Sequence, residues 1–302
     1  MTSRAGRTLR GALRTILLVA AVSVTLAGCA APSIDTAVSP ENGARALLDQ
    51  RSGEIVMPLS DYDLIDTNRD IETLNHAFRI FIGECMATRG LAYTADQFGD
   101  ESRVVDDRPF GLWFEPNART FGFGFPPSKV DAALDADRTA GGKVWSNAEQ
   151  DCTAAAESDP EVQKFMPTNE DLNSSLVSTI RTEAYRMASA DPVWQEARET
   201  WWACLRDEGL EPLTGANDWN TTQVSPVSVG GDGKPVWSEE SIQVAFTQAR
   251  CNNETGLTQT LGNREAAYQA ALIVKNQAAL NEWKELKQRR LRAASDYIQS
   301  HG

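Results

Sequence analysis

The feature that most restricts how this chain can fold is a short motif that occurs twice. Cys85-Met86-Ala87-Thr88-Arg89-Gly90-Leu91 closes one helix-like segment, and Cys204-Leu205-Arg206-Asp207-Glu208-Gly209-Leu210 closes another. Each reads Cys-apolar-x-x-x-Gly-Leu. Glycine takes the left-handed conformation that ends many helices without steric cost, and the residue after it can fold back on the last turn. The motif predicts two helices, each with a cysteine about one turn before its end. A second matched pair follows. Gly142-Lys143-Val144-Trp145-Ser146 precedes Cys152, and Lys234-Pro235-Val236-Trp237-Ser238 precedes Cys251. Serine caps helix N-termini well, so each stretch is expected to open a helix. Trp to Cys is 7 residues in the first copy and 14 in the second. Seven residues are about two turns, so the insertion keeps each cysteine on a similar side of its helix.

The reading is two related units, each a helix ending near one cysteine, an excursion, and a helix carrying the other. It favours Cys85–Cys152 and Cys204–Cys251 among the three pairings that four cysteines allow. Each bridge closes a long loop and contributes on the order of 4 kcal/mol. These cysteines are read as structural. The spacings contain no CxxC motif, and the only histidines are His76 and His301. No metal site, cofactor or His-based catalytic triad is expected.

The fifth cysteine, Cys29, stands apart. The first fourteen residues carry Arg4, Arg7, Arg10 and Arg14 and no acid, and an apolar run from Thr15 to Leu26 follows. A basic start, a short apolar core and a small-residue exit make a secretory signal. The core is shorter than the about 20 residues an ordinary membrane span needs. Leu26-Ala27-Gly28-Cys29 resembles the bacterial lipobox. That resemblance implies a diacylglycerol, with fatty chains such as palmitate, on the Cys29 sulfur and cleavage just before it. Two acyl chains would hold the protein stably, at about 0.8 kcal/mol per buried methylene. The expected location is the extracytoplasmic face of the cell membrane, where disulfides persist.

Removal of residues 1–28 takes four of the 29 basic residues and leaves 25 against 42 acids, a net charge of −17. Such a body repels nucleic acid and is soluble. The remaining length suits one large domain or two smaller ones. The expected organisation is a signal peptide at 1–28, a tether and short helix at 29–52, a first helical unit at 53–190 and a second at 191–302. The fold class is mainly α with a small β or irregular portion and a long C-terminal helix.

Ser39-Pro40-Glu41 has the cap and first-turn proline of a short helix running toward Leu48. Residues 54–58 read as extended. Asp66 to Asp70 opens like a calcium loop, but Ile71 and Ala77 stand where glycine and an acid are required, leaving an ordinary helix start. Leu172, Leu176, Ile180, Ala184 and Met187 recur at helical spacing. A new helix is expected from Val193, after Asp191-Pro192, to about Glu208. The last helix is expected from about Asn263 to Ser300, with an apolar stripe through Tyr268, Leu272, Ala279, Trp283, Leu286, Ala293 and Tyr297. It either packs on its own domain or projects as an arm. Its basic end, Lys284, Lys287, Arg289, Arg290 and Arg292, opposes the helix dipole and can pair with acids of the same body.

Residues 96–141 read as the irregular excursion of the first unit. They hold Phe110, Trp113, Phe114 and the run Phe121-Gly122-Phe123-Gly124-Phe125-Pro126-Pro127. If this run is extended, the phenylalanines share one side and the glycines the other. Trp113, Phe121, Phe123 and Phe125 form a candidate binding surface able to stack on a sugar or hold a peptide, or else cover a helix pair. In the second unit, Gly230 to Gly233 reads as a hairpin tip. It lacks the Gly-Lys-Ser/Thr of a phosphate loop.

Scattered pieces across the mature chain carry a further resemblance: Pro58-Leu59-Ser60-Asp61-Tyr62, Cys85-Met86 with Gly90-Leu91, Arg108-Pro109-Phe110-Gly111, Phe121 to Gly124, Asp191-Pro192, Trp202-Ala203-Cys204 and Tyr268-Gln269. The pattern is similar to that of uncharacterised secreted actinobacterial lipoproteins. It implies an extracytoplasmic lipoprotein and transfers no catalytic residue. The expected function is a non-catalytic binding or accessory module of the cell envelope, with an envelope protein or wall component as partner. The alternatives are a wall-directed hydrolase using acids such as Asp106, Asp107 and Glu115, and an assembly protein acting through the C-terminal helix.

Overall fold

The computed structural model describes residues 37–64, 68–99, 105–223, 228–229 and 235–302. The expected signal peptide, the Cys29 attachment point and the Gly230–Gly233 tip lie outside the described residues. The fold is mainly α-helical with two disulfides and a long C-terminal helix. Among the described residues eight α-helices follow one another: α1 (Asn68–Thr88), α2 (Glu115–Phe121), α3 (Lys129–Ser158), α4 (Asn169–Asn173), α5 (Leu176–Ser189), α6 (Pro192–Asp207), α7 (Glu239–Thr255) and α8 (Leu257–His301). Two short antiparallel ladders join β1 (Leu47–Leu48) to β2 (Ile55–Val56) and β3 (Ser228–Val229) to β4 (Pro235–Val236).

The repeated motif ends its helices as expected. Gly90 (φ +70°) and Gly209 (φ +78°) are left-handed just beyond α1 and α6. Cys85 on α1 bonds Cys152 on α3, and Cys204 on α6 bonds Cys251 on α7. The second helix of each pair starts differently. Ser238 caps α7, accepting the Ser241 N–H at 3.0 Å. Ser146 instead lies inside α3, which begins at Lys129 and breaks at left-handed Gly142 (φ +56°). The excursion of the first unit is therefore shorter than expected, and α2 and the first half of α3 occupy much of it.

Among the described residues the core comprises three large apolar clusters and a small fourth one of Leu112, Ala118, Ala245 and Ala249, on which Phe123 packs. One of the large clusters gathers Phe110, Trp113, Trp194, Trp201 and Leu205 around Cys251. A second sets Ile82, Met86 and Trp145 around Cys152. A third packs Leu59, Ile180 and Ala184. Helix α8 runs through all three, giving Leu257 and Leu261 to the first, Leu272, Ile273 and Leu280 to the third, and Ala294 and Tyr297 to the second. Its 45 residues make roughly 65–70 Å of helix. A kink at Asn276, whose Nδ2 donates to Leu272 O at 2.8 Å, rotates the buried face. Ala279, expected in the apolar stripe, is exposed as a result, and Leu280 is buried. The basic end is tied down: Lys284 to Asp61 (2.9 Å), Lys287 to Asp70 (2.7 Å) and Arg290 to Asp171 (2.6 Å). Helix α8 thus packs on the body and does not project.

The short helix expected over residues 39–48 does not form. Long-range partners take its backbone: Glu41 N–H donates to Ala267 O (2.9 Å) and Ala46 N–H to Asn263 Oδ1 (3.1 Å), while Gln259 Nε2 donates to Ala46 O (3.0 Å). Leu47–Leu48 then pairs with Ile55–Val56, which is extended as expected. Among the described residues no helix is long and apolar enough to cross a membrane.

Candidate aromatic cleft

The run Phe121 to Pro127 is not a strand. Helix α2 stops at Phe121 because Gly122 turns left-handed (φ +61°), its N–H bonding Ala118 O at 3.0 Å. A tight turn follows, with Gly124 N–H on Phe121 O at 2.9 Å. Pro126 and Pro127 restrict the backbone and lead to Ser128, which caps α3 by accepting the Asp131 N–H at 3.2 Å. The glycines are needed for close approach, but the approaching groups belong to this chain. A Cβ at Gly122 would sit 3.1 Å from Ile242, and one at Gly124 would sit 3.2 Å from Trp237 Nε1.

Arg108 holds this loop in place. Its Nη1 donates to Phe123 O at 2.7 Å and its Nη2 to Gly124 O at 2.8 Å. The guanidinium carbon lies 4.2 Å from the Phe125 ring centroid. The same guanidinium pairs with Asp106, whose side chain is fully buried and also accepts from Asn117. Asp106 is the one non-glycine residue with positive φ (+50°) among the described residues. An aspartate tolerates that region better than most residues, and here its carboxylate is the anchor of the clamp.

The result is a cleft of about 640 Å³ lined by Phe121, Phe123, Phe125, Pro126, Pro127 and Trp237, with Asp131 and Asp135 on one side. The volume falls in the range of ligand pockets, about 300–1,000 Å³. Phe123 and Trp237 form a corner, their centroids 5.3 Å apart and their planes at 53°. Phe125 is 61 % exposed. Trp237 Nε1 is buried and has no hydrogen-bond partner among the described residues. Asp135 is paired with Arg138 at 2.8 Å.

The structure thus brings three of the four expected aromatics together and separates the fourth. Trp113 is fully buried in the tryptophan-rich cluster, its Nε1 donating to Asp107 O at 2.7 Å. It cannot offer a surface, and with Phe110 it covers the α6–α7 pair. Trp237, which the sequence marked only as a match to Trp145, takes its place. Trp145 is buried, and its Nε1 donates to Ala92 O at 2.7 Å.

The acids named from sequence lie in different surroundings. Asp106 belongs to the clamp. Glu115 accepts from Asn253 Nδ2 at 2.8 Å. Asp107 accepts the Ile55 N–H at 2.8 Å and lines a second, smaller cavity of about 240 Å³ with Arg181, Glu265 and Gln269. There Gln269 is fixed between Leu59 N–H (3.1 Å) and Glu265 Oε1 (2.9 Å). Burial pushes the Arg181 pKa below its ordinary value, against the pull of Glu265, and Arg181 is paired with Asp63. Periodicity gave no signal for this cavity, because its lining comes from segments far apart in the chain. His76 faces the Asp96 carbonyl at 3.2 Å and His301 faces Glu84 at 2.9 Å. Among the described residues no group of three or more His, Cys, Asp or Glu side chains is arranged to hold a metal ion.

No family model matches the chain, and neither the curated proteins nor the solved structures contain a match to it.

Proposed function

We propose that the chain is an extracytoplasmic lipoprotein of the cell envelope, tethered by a diacylglycerol on Cys29, whose folded body is a non-catalytic binding module. Its ligand site is the cleft between Phe123, Phe125 and Trp237. The tether rests on the basic and apolar start and on Leu26-Ala27-Gly28-Cys29. Two disulfides suit an oxidising compartment. The observation that carries the binding role is the Arg108 clamp, which fixes two carbonyls and one ring of the cleft wall at once. A wall held in place by the protein itself spends little entropy on ordering when a ligand arrives.

Fractionation of cells making the full chain and its Cys29→Ala variant tests the tether. The wild type is expected in the membrane, and the variant in the medium or as uncleaved precursor. A variant that still fractionates as mature protein in the membrane overturns the anchor. Retention of an envelope component on immobilised wild type but not on the Trp237→Ala variant tests the cleft. Equal retention removes it as the site.

A further inference from the structure

We infer that the aromatic cleft takes an organic cation, a small solute bearing a quaternary or protonated ammonium group. This inference rests on the reading of the cleft as a binding site and names the chemistry it would recognise.

Four rings line the cleft, and the face of each carries the negative lobe of its quadrupole. Phe123 and Trp237 both line the cleft with their planes at 53°, and rings set at an angle to one another surround a rounded cation better than a flat one. The ring array already holds one cation of its own, since the Arg108 guanidinium stacks on Phe125 at 4.2 Å. The charged residues of the lining are Asp131 and Asp135, with no Lys, Arg or His among them. Asp135 has Arg138 as its counter-ion. Asp131 is exposed, in the first turn of α3. The positive end of α3 offers an anion little here, because Ser128 already accepts the Asp131 N–H and the Asp131 carboxylate opposes the dipole. An anionic ligand would therefore face ring faces and carboxylates together. The net charge of −17 that remains without residues 1–28 also raises the local concentration of cations.

The test uses the full chain in a non-ionic detergent and three probes: choline, its neutral isostere with carbon in place of nitrogen, and maltose. Nitrogen–proton correlation spectra follow the Trp237 indole N–H, identified by its loss in Trp237→Phe, and calorimetry gives the affinities. Choline is expected to move the Trp237 resonance and to bind at least about ten-fold more tightly than the isostere. Phe125→Leu should weaken choline about three-fold, the size of one exposed cation–π contact. Asp131→Asn sits at an exposed position, keeps the Ser128 cap, and should weaken choline without affecting the isostere. Equal binding of choline and the isostere, or binding of maltose alone, overturns the cation and leaves the cleft as a binding site for a neutral ligand. A Trp237 resonance unmoved by all three also overturns it, and the envelope-retention result then decides separately whether the cleft binds at all.

Discussion

The backbone N–H of Leu91 donates to Met86 O at 3.1 Å, and that of Leu210 donates to Leu205 O at 2.8 Å, so the two leucines hold the same position in a repeated helix end. In each case the preceding glycine is left-handed and an added Cβ would meet nothing within 4 Å. The cost of a side chain there is backbone strain alone. Gly90→Ala and Gly209→Ala are each expected to lose about 1 kcal/mol in chemical denaturation. Asparagine tolerates this conformation better, so Gly209→Asn should lose less than Gly209→Ala. The two alanine changes lie in different helix pairs and should add.

The bridges close loops of 67 and 47 residues in sequence separation. Chain-entropy scaling puts each at about 4 kcal/mol. Replacing both cysteines of either pair by serine should lower the unfolding free energy by that amount, and mild reduction of the wild type should reproduce the sum. The Cys204–Cys251 variant should also disturb the tryptophan-rich cluster, since Cys251 is fully buried within it. Near-ultraviolet circular dichroism reads that change.

What the sequence made legible was local. Gly90 and Gly209 stop helices through their own backbone freedom, so the motif was sufficient to place both ends and suggest the pairing. Ser39-Pro40-Glu41 was an equally clear local signal, yet the backbone that should have formed the helix is bonded to α8 instead, and long-range partners override propensity. Ser146 failed as a cap because left-handed Gly142, one turn earlier, lets a preceding helical stretch run up to it. The Asn276 kink left no trace in the apolar spacing beyond the misplacement of Ala279. Three rings of the cleft were visible as a run of alternating phenylalanine and glycine. Trp237 and Arg108 were not, because only the folded chain brings them to that run.

Arg108 joins Asp106, Phe123, Gly124 and Phe125 through one side chain. Arg108→Met would leave the buried Asp106 carboxylate without its counter-ion, a loss of about 3–5 kcal/mol. Arg108→Lys keeps the charge but has no planar fork to reach both carbonyls and the carboxylate, so it should recover only part. Urea denaturation gives the order wild type, Lys, Met. Because Phe123 packs on Trp237, both variants should also shift the Trp237 indole resonance, whereas a remote destabilising change would not.

Asp191 caps α6 by accepting the Val193 N–H at 2.9 Å, and its other oxygen accepts from Arg264 and, at 3.2 Å, from the Tyr268 hydroxyl. Burial alone would raise its pKa. The Arg264 hydrogen bond and the Val193 N–H outweigh it and hold the carboxyl below the ordinary range. A group depressed in the folded state stabilises the fold above its unfolded value, about 3.9, and that contribution is lost as pH falls through the folded value. Asp191→Asn retains a cap oxygen but no charge for Arg264. The variant is expected to be less stable than wild type by about 1–3 kcal/mol at neutral pH. The gap should stay constant down to about pH 5 and narrow steadily below it. A gap of the same size at pH 2 would mean that the Asp191 charge is not what Arg264 holds in place.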